Sequence, residues 1–286
     1  MVREHIEKIS VRREESHKGD YGRVLVIAGS RGMTGSAYLT SQGALLAGSG
    51  LVTCGIPESL NQIMEVKLTE VMTLPLAEMP GQLLGLAAKK NILDHAGKCD
   101  AVALGPGLGR NAHTGTLVRE LVLEIETPLV LDADGINALK GDLEPLKNRA
   151  YRTVITPHPG EMARLVGKDV EEIQSHRVEI AKSVAEVTDS VVCLKGHRTV
   201  VAAPDGSVHV NDTGNSGMAT GGTGDVLTGM IASFIGQGIS DFSAAVSAVY
   251  LHGLAGDIAA EKKGPFCMTA SDLLDSLPEA FRKAGL

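Results

Sequence analysis

The sequence predicts an α/β fold with three layers, in which a central, mostly parallel sheet is covered by helices on both faces. Short apolar runs alternate along the chain with helical patterns, and this alternation is typical of a parallel sheet built from βαβ units. The strand-like runs are apolar at nearly every position, as expected when both faces of the sheet are buried. No segment has the composition of a linker, so a single domain is predicted over residues 1–286.

The predicted elements follow one another in a regular order. The six strand-like runs are residues 24–28, 51–55, 101–104, 129–131, 153–155 and 191–194. Helical patterns lie between them at residues 37–47, 82–95, 114–125, 160–166 and 171–187. After these, residues 199–203 and 207–210 flank the turn signal Pro204-Asp205-Gly206 and predict a β-hairpin. Three further helices are predicted over residues 222–235, 242–260 and 271–280.

The charge and hydropathy of the chain exclude two classes of partner. The formal net charge is -7, and Lys and Arg are scattered, which argues against nucleic acid as a partner. A small anionic ligand remains possible, because backbone N–H groups bind phosphate whatever the net charge of the chain. The charged N-terminal segment is not a signal peptide. The apolar tract 242–260 contains His252 and Asp257, so it is predicted to be a core helix and not a membrane span.

The cysteine pattern predicts a cytoplasmic protein. The four cysteines are Cys54, Cys99, Cys193 and Cys267, and none has the spacing of a zinc site or a Cys-x-x-Cys pair. Cys54 and Cys193 lie in strand-like runs, which predicts that they are buried as small hydrophobic residues. Free thiols of this kind are typical of a reducing compartment.

Glycine and polar motifs directly follow most of the predicted strands. Ligands in such folds bind outside the carboxyl ends of the strands, so these motifs are predicted to gather along one edge of the sheet. The motifs are Gly29-Ser30, Gly105-Pro106-Gly107, Asp132-Ala133-Asp134-Gly135, Thr156-Pro157-His158-Pro159-Gly160-Glu161 and Lys195-Gly196.

The strongest motif runs from Asn211 to Gly217 and then into Gly221-Gly222-Thr223-Gly224-Asp225, directly before an apolar helix. Glycines let successive N–H groups point at an anion, and the helix N-terminus adds free donors and a positive dipole end. An Asp at the end of such a turn can accept a proton from a hydroxyl that attacks a phosphoryl group. The alternative is that Asp225 only caps the helix.

Three other motifs each allow a functional and a structural interpretation. Asp132 and Asp134 end a strand and could hold Mg²⁺ through water, or Asp134 could be a helix N-cap. Glu161 could orient Mg²⁺ or water and His158 could contact a ligand, or Glu161 could complete a capping box. Lys195 could neutralise phosphate as a point charge, or extend its ammonium to solvent.

Taken together, these motifs resemble the ribokinase-like superfamily, whose glycine-rich anion site and Asp base are matched by Gly222-Thr223-Gly224-Asp225. Many of its small-molecule kinases carry Thr-Pro-Asn-x-x-Glu, whereas this chain has His158 in place of the Asn. That difference argues against a direct transfer of function from the sugar and hydroxymethylpyrimidine kinases.

The chain more closely resembles the ADP-dependent (S)-NAD(P)H-hydrate dehydratases, in order from about residue 16 to the C-terminus. The matching blocks are residues 17–22, 28–30, 105–109, 131–135, 156–161, 194–196 and 221–225. The resemblance implies that the substrates are the hydrated cofactors NADHX and NADPHX, with ADP or ATP as phosphoryl donor and Mg²⁺ as cofactor. It also implies a homotetramer. Some relatives have a preceding epimerase domain, which is expected to be absent from this chain.

The resemblance also assigns site residues. Asp225 is implied as the base that takes the hydroxyl proton. Contacts with the hydrate are implied for Ala37, Gly107, His158 and Asp225. Contacts with the nucleotide are implied for Lys195, Gly196, His197, Arg198, Thr199, Gly222, Thr223 and Gly224. Glu161 is a candidate Mg²⁺ ligand, through water.

Two other functions remain open on the residues alone. A small-molecule kinase, for example of a hydroxymethylpyrimidine or thiazole alcohol, would use the same Asp225 but release a stable phosphorylated alcohol. A non-catalytic module that senses adenylates would bind nucleotide without needing Asp225. Turnover of the hydrate distinguishes the dehydratase from both.

Overall fold

The structure is a computed structural model that describes residues 2–9 and 12–286. Its strands in that part of the chain are β1 (Arg23–Ile27), β2 (Leu51–Pro57), β3 (Met72–Leu76), β4 (Glu78–Met79), β5 (Leu83–Leu84), β6 (Ala101–Leu104), β7 (Leu129–Leu131), β8 (Thr153–Ile155), β9 (Val191–Leu194), β10 (Val200–Ala202) and β11 (Val208–Val210).

Nine of these strands form one sheet, in the order β11-β10-β9-β8-β7-β6-β1-β2-β3. Neighbours from β9 to β3 are parallel, and only β10 is antiparallel to the strands on either side of it. Strands β4 and β5 form a separate antiparallel pair. Because the parallel strands share a direction, their carboxyl ends and the loops that follow lie along one edge of the sheet.

Helices connect the strands and cover both faces of the sheet. They are α1 (Val2–Ile6), α2 (Thr34–Leu46), α3 (Asn61–Lys67), α4 (Lys89–Ala96), α5 (Ala112–Glu124), α6 (Asp134–Asn137), α7 (Glu144–Lys147), α8 (Pro159–Val166), α9 (Val170–Ser175), α10 (Arg177–Thr188), α11 (Thr223–Gly236), α12 (Asp241–Lys263) and α13 (Ala270–Ala284).

Two hydrophobic cores lie on opposite faces of the sheet. Successive side chains of a strand point to opposite faces, so Val24 and Val26 join one core and Leu25 and Ile27 join the other. The first core contains residues of α2, α11, α12 and α13, and the second contains residues of α4, α5, α8 and α10. The predicted three-layer arrangement with a mostly parallel central sheet is therefore confirmed.

Glycines let α2 and α11 pack at very short range. A Cβ atom on Gly229 of α11 would lie 2.0 Å from the carbonyl oxygen of Thr40 in α2. A Cβ atom on Gly43 of α2 would lie 2.5 Å from the carbonyl oxygen of Val226 in α11. Both contacts are with backbone, which cannot move aside easily. Glycine at these two positions therefore fixes how closely α11, and the turn that precedes it, sits against α2.

Four predicted strands have the observed bounds, two predicted helices are wrong, and one strand of the main sheet was not predicted. The sequence did not predict β3, an edge strand that is half exposed and contains Pro75. The helix predicted over residues 82–95 begins only at Lys89, because Leu83 and Leu84 pair as β5 with β4. The helix predicted over residues 171–187 is two helices, α9 and α10, separated at His176.

Helix α12 contains the apolar tract that the sequence predicted to be a core helix. By length and hydropathy it is the one helix of the described residues that could cross a membrane, but 78% of its most apolar window is buried inside the fold. The prediction of a core helix is therefore confirmed. Cys54 and Cys193 are buried free cysteines, as predicted.

Candidate functional site

The loops after the parallel strands contact one another at the carboxyl edge of the sheet. The loop after β1 meets the loop after β6, where the N–H of Gly29 donates to the carbonyl of Pro106 at 2.8 Å. The loop after β8 meets the end of β9, where the N–H of Lys195 donates to the carbonyl of Pro157 at 2.8 Å. The motifs of these strands are thus gathered into one region, as the sequence predicts.

Residues 221–225 form the start of α11 and are called the α11 turn below. Gly222 is the N-cap residue, has a left-handed backbone with φ +93°, and offers no side chain to cap the helix. A Cβ atom at this position would lie 2.3 Å from Cδ1 of Leu39 and would displace that side chain, and a φ of +93° is one that glycine adopts without strain. The first N–H groups of a helix have no intrahelical acceptor, so those of the α11 turn are free for a ligand.

Asp225 lies in the first turn of α11 and does not cap it, so the capping alternative is wrong. Burial raises the pKa of its carboxyl to about 6, and the negative charge of Asp132 acts in the same direction. A hydrogen bond with the Ser36 side chain and the charge of Lys195 partly oppose that rise in pKa. A carboxylate with a pKa near 6 is ionised at neutral pH and is basic enough to accept a hydroxyl proton.

A buried ion pair lies beneath the α11 turn. Nζ of Lys195 is 2.5 Å from Oδ1 of Asp132, and the hydroxyl of Thr228 donates to Oδ2 at 2.7 Å. A Cβ atom on Gly224 would be 3.3 Å from Nζ of Lys195, so the ammonium lies against the turn. Lys195 therefore does not extend to solvent, and its charge is held at the place where the turn would meet an anion. Both carboxylate oxygens of Asp132 already have partners.

Asp134 holds the loop that follows β6. Its Oδ2 accepts the N–H of Gly109 at 2.9 Å, and its Oδ1 is 3.5 Å from Nε of Arg110. The N-cap of α6 is Ala133, with a strained φ of +50°, so the interpretation of Asp134 as an N-cap is wrong. The carboxylate connects two loops at the sheet edge instead of closing its own helix.

His158 and Glu161 form a capping box at the start of α8. Nδ1 of His158 accepts the N–H of Gly160 at 2.9 Å, and Oε2 of Glu161 accepts the N–H of His158 at 2.8 Å. Oε1 of Glu161 is 3.3 Å from Nε2 of His158. The structural interpretation of this motif is therefore observed. Burial lowers the pKa of His158 and raises that of Glu161.

The donor set offers Mg²⁺ few protein ligands. Among residues 2–9 and 12–286, no group of three or more His, Cys, Asp or Glu side chains could hold a metal ion. Mg²⁺ commonly keeps several waters and binds through substrate phosphates with one or two carboxylates. The site fits an ion of that kind, held mainly by a bound nucleotide, with Glu161 as the nearby carboxylate that the sequence analysis named.

Ala37 and Gly107, two predicted substrate contacts, lie on either side of Ser36. A Cβ atom on Gly107 would be 2.9 Å from Cβ of Ser36, and the hydroxyl of Ser30 donates to the Gly107 carbonyl at 2.7 Å. Ser36 is also the side chain bonded to Asp225. Ala37 is 0% exposed. It lies in the first turn of α2, and its contact with the hydrate stays a prediction.

The turn between β9 and β10 contains the other predicted nucleotide contacts. Gly196 has φ +139°, and a Cβ atom there would be 3.1 Å from NH1 of Arg177, whose guanidinium lies beneath the turn. The Thr199 hydroxyl donates to the Gly196 carbonyl at 3.0 Å. His197 and Arg198 are exposed, which suits contact through the backbone. Arg177 was not anticipated from the sequence.

Sequence reasoning also missed two polar residues of α12 that support the site. His252 is buried, and its Nε2 is 2.8 Å from the carbonyl oxygen of Thr223. Burial lowers its pKa to about 4, so the ring is neutral at pH 7 and Nε2–H donates to that carbonyl. Asp257 accepts the N–H of Gly214 and the side-chain amide of Asn215, both at 2.9 Å. Their presence in an otherwise apolar tract was the available signal.

Comparison with known proteins gives consistent matches over nearly the whole chain. A family model described as NAD(P)H-hydrate dehydratase matches residues 24–279. A bifunctional NAD(P)H-hydrate repair enzyme of Moorella thermoacetica is 49% identical over 272 residues, which cover 95% of this chain and 51% of the relative. The chain therefore spans about half the length of that relative.

Two comparisons cover nearly the full length of both of the chains compared. An ADP-dependent (S)-NAD(P)H-hydrate dehydratase of Bacillus subtilis is 36% identical over 281 residues, which cover 98% of this chain and 96% of the relative. The crystal structure of an ADP/ATP-dependent NAD(P)H-hydrate dehydratase from Bacillus subtilis, co-crystallised with ATP/Mg²⁺, gives a TM-score of 0.85 at 33% identity. That match covers 99% of this chain and 97% of the other. The predicted ribokinase-like fold is confirmed.

Proposed function

Because the chain belongs to the NAD(P)H-hydrate dehydratase family, we propose that it repairs hydrated nicotinamide cofactors. The reaction is the ADP-dependent dehydration of (S)-NADHX and (S)-NADPHX to NADH and NADPH, with AMP and phosphate as the other products. The observation that carries this proposal is the uncapped α11 turn, with Asp225 in its first turn at a pKa of about 6.

The chemistry requires that a poor leaving group be made a good one. The hydrate carries a hydroxyl on its reduced ring, and hydroxide leaves only with difficulty. Asp225 takes the hydroxyl proton as the oxygen attacks the β-phosphorus of ADP, and the bond from that phosphorus to the bridging oxygen breaks to give AMP. The ring nitrogen lone pair then expels phosphate as the carbon–oxygen bond breaks, and loss of a ring proton restores the dihydronicotinamide.

The α11 turn and Lys195 stabilise the charge that develops on the transferred phosphoryl group. Free N–H groups from Gly222 to Gly224 point out of the helix start, where a phosphoryl oxygen would lie. The ammonium of Lys195 is fixed beside Gly224 by its ion pair with Asp132. Bound Mg²⁺ would neutralise the phosphate charge further, with Glu161 as the nearest candidate for a contact through water.

The remaining contacts follow from which loops surround Asp225. Ala37 in the first turn of α2, Gly107 after β6 and His158 after β8 would contact the hydrate. Lys195, Gly196, His197, Arg198 and Thr199, together with Gly222, Thr223 and Gly224, would contact the AMP portion of the nucleotide. The exposed turn at 196–198 leaves room for the base and ribose against backbone.

The direct test is recovery of reduced nicotinamide absorbance from purified NADHX or NADPHX by the purified chain, with AMP quantified by chromatography. We expect recovery with ADP and Mg²⁺, and one AMP for each hydrate consumed. A folded protein that recovers no absorbance with ADP or ATP contradicts the proposal. Release of a stable phosphorylated hydroxymethylpyrimidine or thiazole alcohol, without hydrate turnover, would support the kinase alternative.

Two further properties belong to the proposal. We infer a cytoplasmic location from four free cysteines without disulfide pairing, and from cofactor damage being an intracellular problem. We also infer a homotetramer, which light scattering on the eluted protein would test: a mass near four chains supports it, and a mass near one chain contradicts it.

A further inference from the structure

A basic pocket of about 490 Å³ opens at the same edge of the sheet, between α5, α6 and α8. Its wall includes Gly109 and Asp134 of the site described above, and four cationic side chains: Arg110, Arg119, Lys140 and Arg164. None of the catalytic, substrate or nucleotide residues named so far lines it. The pocket is therefore a neighbour of the site and extends it away from Asp225.

The four cationic side chains of this pocket outnumber its one acidic residue, Asp134, and two of them have no ion pair among the described residues. Within the described residues, Lys140 is exposed and has no ion pair, and Nε of Arg164 donates to the neutral Asn137 side chain at 2.9 Å. Arg110 forms an ion pair of 3.5 Å with Asp134, but its side chain is 66% exposed, which leaves most of the guanidinium accessible to a ligand. Arg119 is paired with Asp142, which lies outside the pocket. In a chain of net charge -7, an excess of cations in one cavity indicates an anionic ligand.

The pocket is adjacent to the place where the nicotinamide ring would react. The segment from Gly107 to Gly109 joins the two, because Gly107 contacts Ser36 beside Asp225 and Gly109 is bonded to Asp134 in the pocket wall. Arg164 and Arg110 also help to lower the pKa of His158, so their charges are felt at a proposed substrate contact.

The nucleotide phosphates would be held elsewhere. The α11 turn begins a helix that packs in the core on one face of the sheet, whereas α5 and α8 pack in the core on the other face. Residues 195–199 and 221–225, which are proposed to hold the nucleotide, do not line the basic pocket. An anion in the pocket is therefore distinct from the phosphoryl group held at the α11 turn.

We propose that the basic pocket binds phosphate of the dinucleotide substrate, on the part of the molecule remote from its nicotinamide ring. This inference rests on the proposed function and names Arg110, Lys140 and Arg164 as substrate-binding residues. Two phosphate groups have this chemistry: the pyrophosphate bridge, which NADHX and NADPHX share, and the ribose 2′-phosphate, which only NADPHX carries. Guanidinium and ammonium groups bind either one through charge-assisted hydrogen bonds.

The test uses the full chain and the variants Arg110→Gln, Lys140→Gln and the double variant. Lys182→Gln removes the same charge from an exposed position on α10 outside the pocket and is the matched control. We expect each pocket variant to raise the KM for hydrate about tenfold, and the double variant more, while kcat and the KM for ADP stay unchanged. Thermal melts should be unaltered, because both side chains are exposed.

Measuring the variants with NADHX and with NADPHX identifies which phosphate group the pocket binds. An equal rise in KM for NADHX and NADPHX assigns the pocket to the pyrophosphate, and a rise for NADPHX alone assigns it to the 2′-phosphate. An unchanged KM for both hydrates overturns the inference, and so does a rise confined to the KM for ADP.

A binding measurement keeps this inference separate from the proposed function. Calorimetry with ADP-ribose and 2′-phospho-ADP-ribose needs no turnover. Binding that is lost in the double variant but kept in Lys182→Gln supports the pocket, even if the wild-type chain turns over no hydrate and the proposed function fails. Binding that is equal in all variants, or absent from the wild-type chain, overturns the inference.

Discussion

The starts of helices α8 and α11 are two versions of the same local structure at one edge of the sheet. Each follows a glycine-containing or proline-containing loop, and each has a carboxylate in its first turn, Glu161 in α8 and Asp225 in α11. Burial raises the pKa of both carboxyls. From sequence, both were candidates for a role in chemistry.

The two helix starts differ in where their hydrogen bonds go. In α8, the His158 ring and the Glu161 carboxylate accept N–H groups of the same turn, so these N–H groups have acceptors without a ligand. In α11, Gly222 provides no cap, and Asp225 interacts with Ser36 from another helix. A cap contributes about 1 kcal/mol, and α11 does without it. A helix start can therefore serve a ligand when its N–H donors and its carboxylate do not satisfy one another within the first turn.

Among the variants that test this difference between the two helix starts, Asp225→Asn should have the largest effect, which is a loss of catalysis. We expect kcat to fall by about 100-fold to 10,000-fold, because no base takes the hydroxyl proton, while affinity for ADP is retained. Steady-state kinetics with NADHX and calorimetry with ADP measure the two effects. Wild-type turnover by this variant would show that Asp225 is not the base.

The same variant should also be more stable than the wild-type chain at pH 7. The pKa of Asp225 is about 6, above the ordinary value of 3.8, so ionisation of the folded state at neutral pH costs free energy. Removing the charge should raise the free energy of unfolding at pH 7 by up to about 3 kcal/mol. Urea unfolding at pH 7 and at pH 4 checks this, since the gain should largely vanish at the lower pH.

The second expected effect is a dependence of activity on pH that reports the same carboxyl. Activity requires ionised Asp225, so kcat/KM should fall about tenfold for each pH unit below the pKa of about 6. A pH–rate profile of the wild-type chain measures it, with Glu161→Gln as a second sample. Two results together would contradict the assignment of Asp225 as the base. They are a wild-type profile without an inflection near pH 6, and a fall in activity at low pH that shifts when Glu161 is replaced by Gln.

The third effect is on the shape of the α11 turn. Gly222→Ala places a Cβ atom 2.3 Å from Leu39 and forces Ala to φ +93°, so we expect a loss of about 2–4 kcal/mol in stability and a large loss of kcat. Gly167→Ala is the matched control at the C-cap of α8, where φ is +70° but nothing lies within 4 Å. The control should lose only about 1 kcal/mol and keep its kcat.

The smallest effect is expected at the capped helix start. Glu161→Ala should cost about 1 kcal/mol of stability and lower kcat modestly, because the backbone N–H of His158 loses its acceptor. Asp272→Ala removes the same position of the capping box in α13 and should cost a similar amount without a change in kcat.

Glu161→Gln separates the two roles of this residue, because Gln can still accept the N–H of His158. If Glu161 only caps α8, kcat stays near the wild-type value. If it also holds Mg²⁺ through water, the KM for Mg²⁺ rises in this variant while the melting temperature stays the same. A titration with Mg²⁺ at saturating ADP measures the difference.

Much of the fold could be predicted because its signals are local. Strands β6, β7, β8 and β9 are short, apolar at every position except Thr153 and followed by polar or glycine motifs, and their predicted bounds are the observed ones. Strand β3 gave no such signal, because an edge strand is half exposed and tolerates Pro75. The pair β4 and β5 was missed because two residues are too few to show a period.

The sequence by itself determined that Asp225 follows a glycine turn at a helix start, and that the other motifs end parallel strands. Only the tertiary structure decided which side chains are committed. Lys195 pairs with Asp132, 63 residues away, and Thr228 bonds the same carboxylate from 96 residues away. His252 supports Thr223 from another helix. Periodicity and turn chemistry depend on neighbours along the chain, whereas partners and pKa values depend on the groups that packing brings into contact.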